Sequence, residues 1–163
     1  MFENDYLMRM IMQLATVLRK MLLEHPNDPL ETAEDIERAI GNAVDIDPDL
    51  LFSFDPDSMV SMLQLGNFDE HLSGYVLRSM YYEASILEQA GQTQRADLRR
   101  AQADAVAKAY GVEISPEDLS EQALVGYFSE EEPAELSDAG LPDTMEVAES
   151  LNSNLAGGTL DLK

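Results

Sequence analysis

The residues most able to do chemistry in this sequence are its acids. Residues 45–49 read Asp-Ile-Asp-Pro-Asp, which puts Asp45, Asp47 and Asp49 at alternate positions, as in the opening of a calcium loop. Such a loop also needs glycine at its sixth position and a bidentate glutamate at its twelfth, and this chain has Leu50 and Pro56 there. The stretch reads better as two helix starts, Asp47-Pro48 and Asp55-Pro56, each a capping carboxylate followed by a first-turn proline. His25 and His71 lack the spacing of a zinc site and are expected at the surface. No cysteine occurs, which removes thiolate ligands, cysteine nucleophiles and disulfides together. No nucleophile motif, glycine-rich phosphate loop or histidine–carboxylate signature is present. With 32 Asp and Glu against 10 Lys and Arg, no single pair of carboxylates is diagnostic. The expectation is a protein that is not an enzyme and that uses neither metal nor cofactor.

Charge narrows the partners. A formal net charge of -22 disfavours nucleic acid, because phosphate binding depends on a basic surface. The acid is unevenly placed: from Val112 onward there are 13 Asp and Glu against one Lys, a net of -12. Near the other end, residues 5–23 (DYLMRMIMQLATVLRKMLL) are almost wholly apolar, yet Asp5, Arg9, Gln13, Arg19 and Lys20 interrupt them. A membrane span needs about 20 apolar residues without embedded charge. A secretory signal puts its positive charges before the apolar run. The expected location is the cytoplasm, with no membrane partner.

The elements that would position any site are helical. Arg9, Gln13, Thr16 and Lys20 fall on one narrow stripe of a first helix over about 6–23, leaving Leu7, Ile11, Leu14, Leu18 and Met21, with Met8, Met12, Ala15 and Leu22, for burial. Asp28, Pro29 and Glu31 start a second helix reaching about Asp45, with Ala33, Ile36, Ile40, Ala43 and Val44 inward. Short helices over about 48–54 and 56–65 follow, the latter closing at Gly66 as a left-handed cap. Asn67 and Glu70 mark the start of a long helix over about 68–90, ended by Gly91. Its partner runs over about 94–110, with Ala96, Leu98, Ala101, Ala105 and Ala109 as small contacts. Ser115, Pro116 and Asp118 start a last helix to Phe128. The methionines, at helical spacing, read as core fillers. No alternating, β-branched segment appears, so the class is all-α.

Residues 1–128 are thus expected to form one helical domain and 129–163 an acidic, partly flexible tail. Within the tail Met145, Ala148, Leu151 and Leu155 have the spacing of one weak amphipathic helix. Arg95, Arg99 and Arg100 crowd one helix, with Arg78 on the preceding one, while Glu130, Glu131, Glu132 and Glu135 are the densest acids. Either the tail folds back over these arginines, or they pair within their own hairpin and the tail stays solvated.

Two segments resemble tetratricopeptide repeats, pairs of antiparallel helices that touch through small residues. The better match is ASILEQAGQTQRADLRRAQADA, with Ala84, Leu87, Gly91, Ala96 and Ala103 at that family's spacing. The other is AIGNAVDIDPD, with Ala43, Val44, Ile46, Asp47 and Pro48. The opening DYLMRMIMQLATVL is similar to the start of a family of small uncharacterised bacterial proteins, through Asp5, Tyr6, Met8, Arg9, Met10, Ile11 and Gln13. These resemblances imply a helical-repeat fold and no established activity. The repeat likeness also implies a peptide-receiving face on the first helix of the better hairpin, made here by Arg78, Tyr81, Ser85, Glu88 and Gln89. The leading expectation is a helical-repeat protein binding a peptide or protein partner. Two alternatives stand beside it: a structural homo-oligomer built on the apolar first helix, and an acidic mimic of nucleic acid that occupies a basic protein.

Overall fold

The computed structural model describes residues 2–66 and 68–130, and the described residues from Arg9 onward form a compact unit. The elements are α1 (Phe2–Glu24), α2 (Pro29–Val44), α3 (Pro48–Leu51), α4 (Pro56–Leu65), α5 (Glu70–Gln89) and α6 (Thr93–Tyr110), then a 3-10 turn (Pro116–Leu119) and α7 (Glu121–Phe128). Among the described residues there is no strand, and the fold is all-α. No described helix is long and apolar enough to cross a membrane. The weak helix expected over 145–155 and any docking of the acidic tail lie outside the described residues.

The expected stripe of α1 holds. Arg9, Gln13, Thr16 and Lys20 are exposed, whereas Ile11, Leu14, Ala15, Leu18, Met21 and Leu22 are buried. Met10, Leu14 and Val17 of α1 border a gap of about 60 Å³ whose other wall is Ala39, Asn42 and Ala43 of α2, so the two helices lie side by side. Arg19 of α1 donates to the carbonyl of Phe128 (3.4 Å), which ties α7 to the same helix. Asp28 caps α2 by accepting from the Glu31 amide, and α2 buries Ala33, Ile36, Ile40 and Ala43. It ends at Asp45, whose left-handed backbone (φ 62°, ψ 44°) bonds back to Gly41. Gly41 is fixed by a close approach: a Cβ there would stand 2.7 Å from the carbonyl oxygen of Ile46 and 2.9 Å from the Pro48 ring.

At the centre α5 and α6 form a hairpin across residues 90–92, turned at Gly91 (φ 80°). The pairs Tyr81–Asp104 and Glu88–Arg100 run in opposite senses along the two helices, which makes them antiparallel. α2 packs on α5, and α4 packs on α6. Ala33, Ile86, Leu87 and Ala96 meet where α2, α5 and α6 converge, with Tyr82 against them. Small residues at this junction let three helices approach closely. Of the methionines read as core fillers, Met8, Met21, Met59 and Met80 are buried, whereas Met10, Met12 and Met62 are half-buried.

Four local expectations need correction. Gly66 is extended (φ -90°, ψ -155°) and its amide reaches only to Leu63, so α4 ends in a tight turn without a left-handed cap. α5 is capped by Asp69, which accepts from the His71 amide (2.6 Å), and starts later than expected. The last helix is split, because Ser120 caps Ala123 and starts α7 afresh after the capping box at Ser115 has closed a single 3-10 turn. On α6, Ala101 and Ala109 are exposed and Leu98 and Ala105 only half-buried. Its buried face is Ala96, Arg99, Gln102, Ala103, Val106 and Ala107. Choosing by small size missed this face because two long polar side chains occupy it.

Candidate functional site

Those two side chains belong to a buried polar network. Arg99 is 3% exposed; its Nε donates to Glu83 Oε1 (2.6 Å), one Nη to Glu37 Oε2 (2.6 Å) and the other to Gln102 Oε1 (2.7 Å). Its guanidinium lies over the Phe52 ring, 4.1 Å from the centroid, as planar cations favour. Gln102 in turn donates to the carbonyls of Phe54 (2.6 Å) and Phe52 (3.3 Å), so the α3–α4 connection is hydrogen-bonded to α6. Arg95 adds a second cation on Glu37 (3.1 Å). One network therefore fixes α2, α5, α6 and the α3–α4 connection together.

Its protonation follows from burial. Glu83 is 0% exposed, and burial first, then the hydrogen bond with Glu37, pushes its carboxyl up to about 9 despite the Arg99 charge. Burial also raises Glu37, but the hydrogen bond with Glu83 and the charges of Arg99 and Arg95 outweigh it and hold that carboxyl below the usual range. At neutral pH Glu83 is the protonated partner and Glu37 the ionised one. Two like carboxylates in one buried site share a proton in this way. The network is sealed from solvent at Glu83 and Arg99, so it holds helices in register and offers no reacting surface.

Of the five residues expected on a peptide-receiving face, four make contacts inside the chain. Arg78 lies over the Tyr127 ring (3.8 Å to the centroid), in space that Gly74 leaves open, since a Cβ there would stand 2.5 Å from the Tyr127 hydroxyl. Tyr81 donates to Asp104 (2.5 Å), and burial together with that carboxylate raises its phenol. Ser85 donates to the Tyr82 carbonyl (2.7 Å), and Glu88 accepts from Arg100 (2.5 Å). Gln89 is exposed and faces a recess. The arginines considered for tail docking are likewise engaged, Arg95 and Arg99 with Glu37, Arg99 with Glu83, and Arg100 with Glu88.

The recess, about 300 Å³, opens at the end of α5. Tyr82 and Ile86 give it an apolar wall; Pro26 of the α1–α2 loop and Pro29 at the start of α2 also line it, with Gln89 and Glu121 at the rim. The loop is held in place by Thr32, which is buried and donates to the Asp28 carbonyl (2.9 Å). His25, in a left-handed conformation (φ 49°), bonds through Nε2 to Glu121 Oε2 and joins the loop to α7. Burial first, and then the Glu121 charge, raise the Tyr82 phenol. Sequence reasoning found Gln89 here and missed the rest. The one signal in the sequence was the α1–α2 loop, longer than a repeat turn and rich in proline and polar residues.

The hairpin thus ends in a shallow, mixed apolar and polar recess. No family model, curated protein or solved structure matches the chain. Among the described residues no group of three or more His, Asp and Glu side chains is arranged to hold a metal ion. Asp45 closes α2 while Asp47 and Asp49 begin α3, so the alternating aspartates mark helix ends.

Proposed function

We infer that this chain is a non-enzymatic, tetratricopeptide-like helical protein that binds a peptide or protein partner, with the recess at the end of α5 as the seat for a partner side chain. The observation that carries this reading is the recess itself. Tyr82 and Ile86 form an apolar wall reachable from solvent, rimmed by groups that can bond a peptide backbone, on helices that a buried network holds rigid. Leu23 and Leu30, on either side of the same loop, are 60% and 38% exposed, which adds apolar surface near the site. The competing homo-oligomer reading rests on the apolar face of α1, and Ile11, Leu14, Leu18, Met21 and Leu22 are already buried within one chain. The acidic-mimic reading keeps one support: between Arg38 and Arg78 there are seven Asp and Glu and no Lys or Arg.

Site-specific photo-crosslinking in the native host tests the proposal. A crosslinking side chain placed at Asn27 or at Gln89 should trap the same protein, and one placed at Asp97, exposed on α6, should not. Absence of any adduct from the first two positions, or equal trapping from Asp97, overturns the reading.

A further inference from the structure

The geometry points to a lysine or arginine side chain of the partner as the group that enters the α5 recess, its aliphatic stem on Ile86, Pro26 and Pro29 and its cation between the Tyr82 ring and Glu121. This rests on the reading of the recess as a partner site and adds the chemistry of what enters it. Three observations carry it. The recess offers apolar surface from Pro26, Pro29, Tyr82 and Ile86 among polar groups, with a carboxylate beside it, which matches a side chain that is apolar along its stem and charged at its tip. No Lys or Arg lines it, and the one basic ring present, His25, already bonds to the rim carboxylate through a single oxygen, Oε2. The helix ends that frame the loop add Glu24, Asp28 and Glu31, all exposed.

The size and the wider field agree. A volume of about 300 Å³ is at the small end of ligand sites, suited to one long side chain. An aromatic face beside a carboxylate stabilises a cation more than either does alone, because ring quadrupole and charge act on the same group. A net charge of -22 draws a basic partner towards the whole surface and raises its rate of encounter. That field gives no address. The recess would provide one.

The test uses the full chain, observed by amide and methyl NMR, and three capped pentapeptides of alanine whose central residue is lysine, arginine or norleucine. The lysine and arginine peptides should shift Tyr82, Ile86 and Gln89, with dissociation constants on the order of 1 mM. The norleucine peptide should bind at least fivefold more weakly. Glu121→Gln, at an exposed first-turn position of α7, should weaken the charged peptides at least threefold and leave norleucine unchanged. Equal binding of norleucine keeps the recess as a partner site and overturns the cation. Shifts centred on the acids of residues 45–57 also overturn it, as does an unchanged affinity of Glu121→Gln. If none of the three peptides perturbs the recess, both the cation and the site fail.

Discussion

Replacing Glu83 by glutamine should stabilise this protein at neutral pH, although Glu83 is fully buried and bonded to an arginine. The carboxyl titrates near 4.5 when unfolded and is pushed up to about 9 in the fold, with burial as the main cause. Folding therefore takes up a proton. Because the folded value is the raised one, the group's contribution is fully present below about 4.5 and is lost as pH rises towards 9. At about 1.4 kcal/mol per unit, the loss reaches about 3 kcal/mol by pH 7 and about 6 kcal/mol by pH 9, as upper bounds. Glutamine carries no such penalty, has the same shape, and can still accept from Arg99 Nε and donate to Glu37. Urea unfolding of wild type and Glu83→Gln at pH 5, 7 and 9 reads the difference directly. The variant should be little changed at pH 5, more stable by up to about 3 kcal/mol at pH 7, and further ahead at pH 9. A variant less stable than wild type by about 1 kcal/mol or more at pH 7, or one whose stability falls with pH in parallel with wild type, refutes the assignment of the proton to Glu83.

Further variants probe the same frame. Arg99→Met removes the cation and leaves Glu37 partly buried without its closest partner, so chemical denaturation should show a loss of about 3–5 kcal/mol. Gly41→Ala should cost about 1–3 kcal/mol in the same assay, since its methyl meets the Ile46 carbonyl and the Pro48 ring, neither of which can rotate away. Leu14→Asp should lower the thermal midpoint far more than Arg9→Ala, because Leu14 is 1% exposed and Arg9 is on the solvent stripe; similar midpoints would contradict the placement of α1.

Helices that announce themselves by apolar spacing and caps were legible in the sequence. α1 shows its four-residue polar stripe, and Asp28, Asp55 and Ser115 mark starts that the structure keeps. The central network was hidden because its residues are polar where a pattern search expects apolar ones. Val76, Met80, Glu83 and Leu87 follow helical steps along the buried face of α5, and Ala96, Arg99, Ala103 and Val106 do so along α6. An acid and an arginine at equivalent positions of facing stripes were the available sign, read only when both stripes are written side by side. The recess was less legible still. It is made by the α1–α2 loop with the start of α2, the end of α5 and the start of α7, and in sequence these groups are separated by the stretches from Thr32 to Tyr82 and from Gln89 to Glu121. No local pattern records such a convergence.

The claim that the α5 recess holds a partner is tested most directly by the affinity of the crosslinked partner, once purified, for wild type and for Gln89→Arg. Gln89 is exposed at the end of α5, and arginine is a good helix former, so the variant should fold with an unchanged thermal midpoint. A long cation placed at the rim obstructs the recess and repels a basic side chain. The account predicts a dissociation constant at least tenfold weaker by calorimetry, whereas binding within twofold of wild type would contradict it.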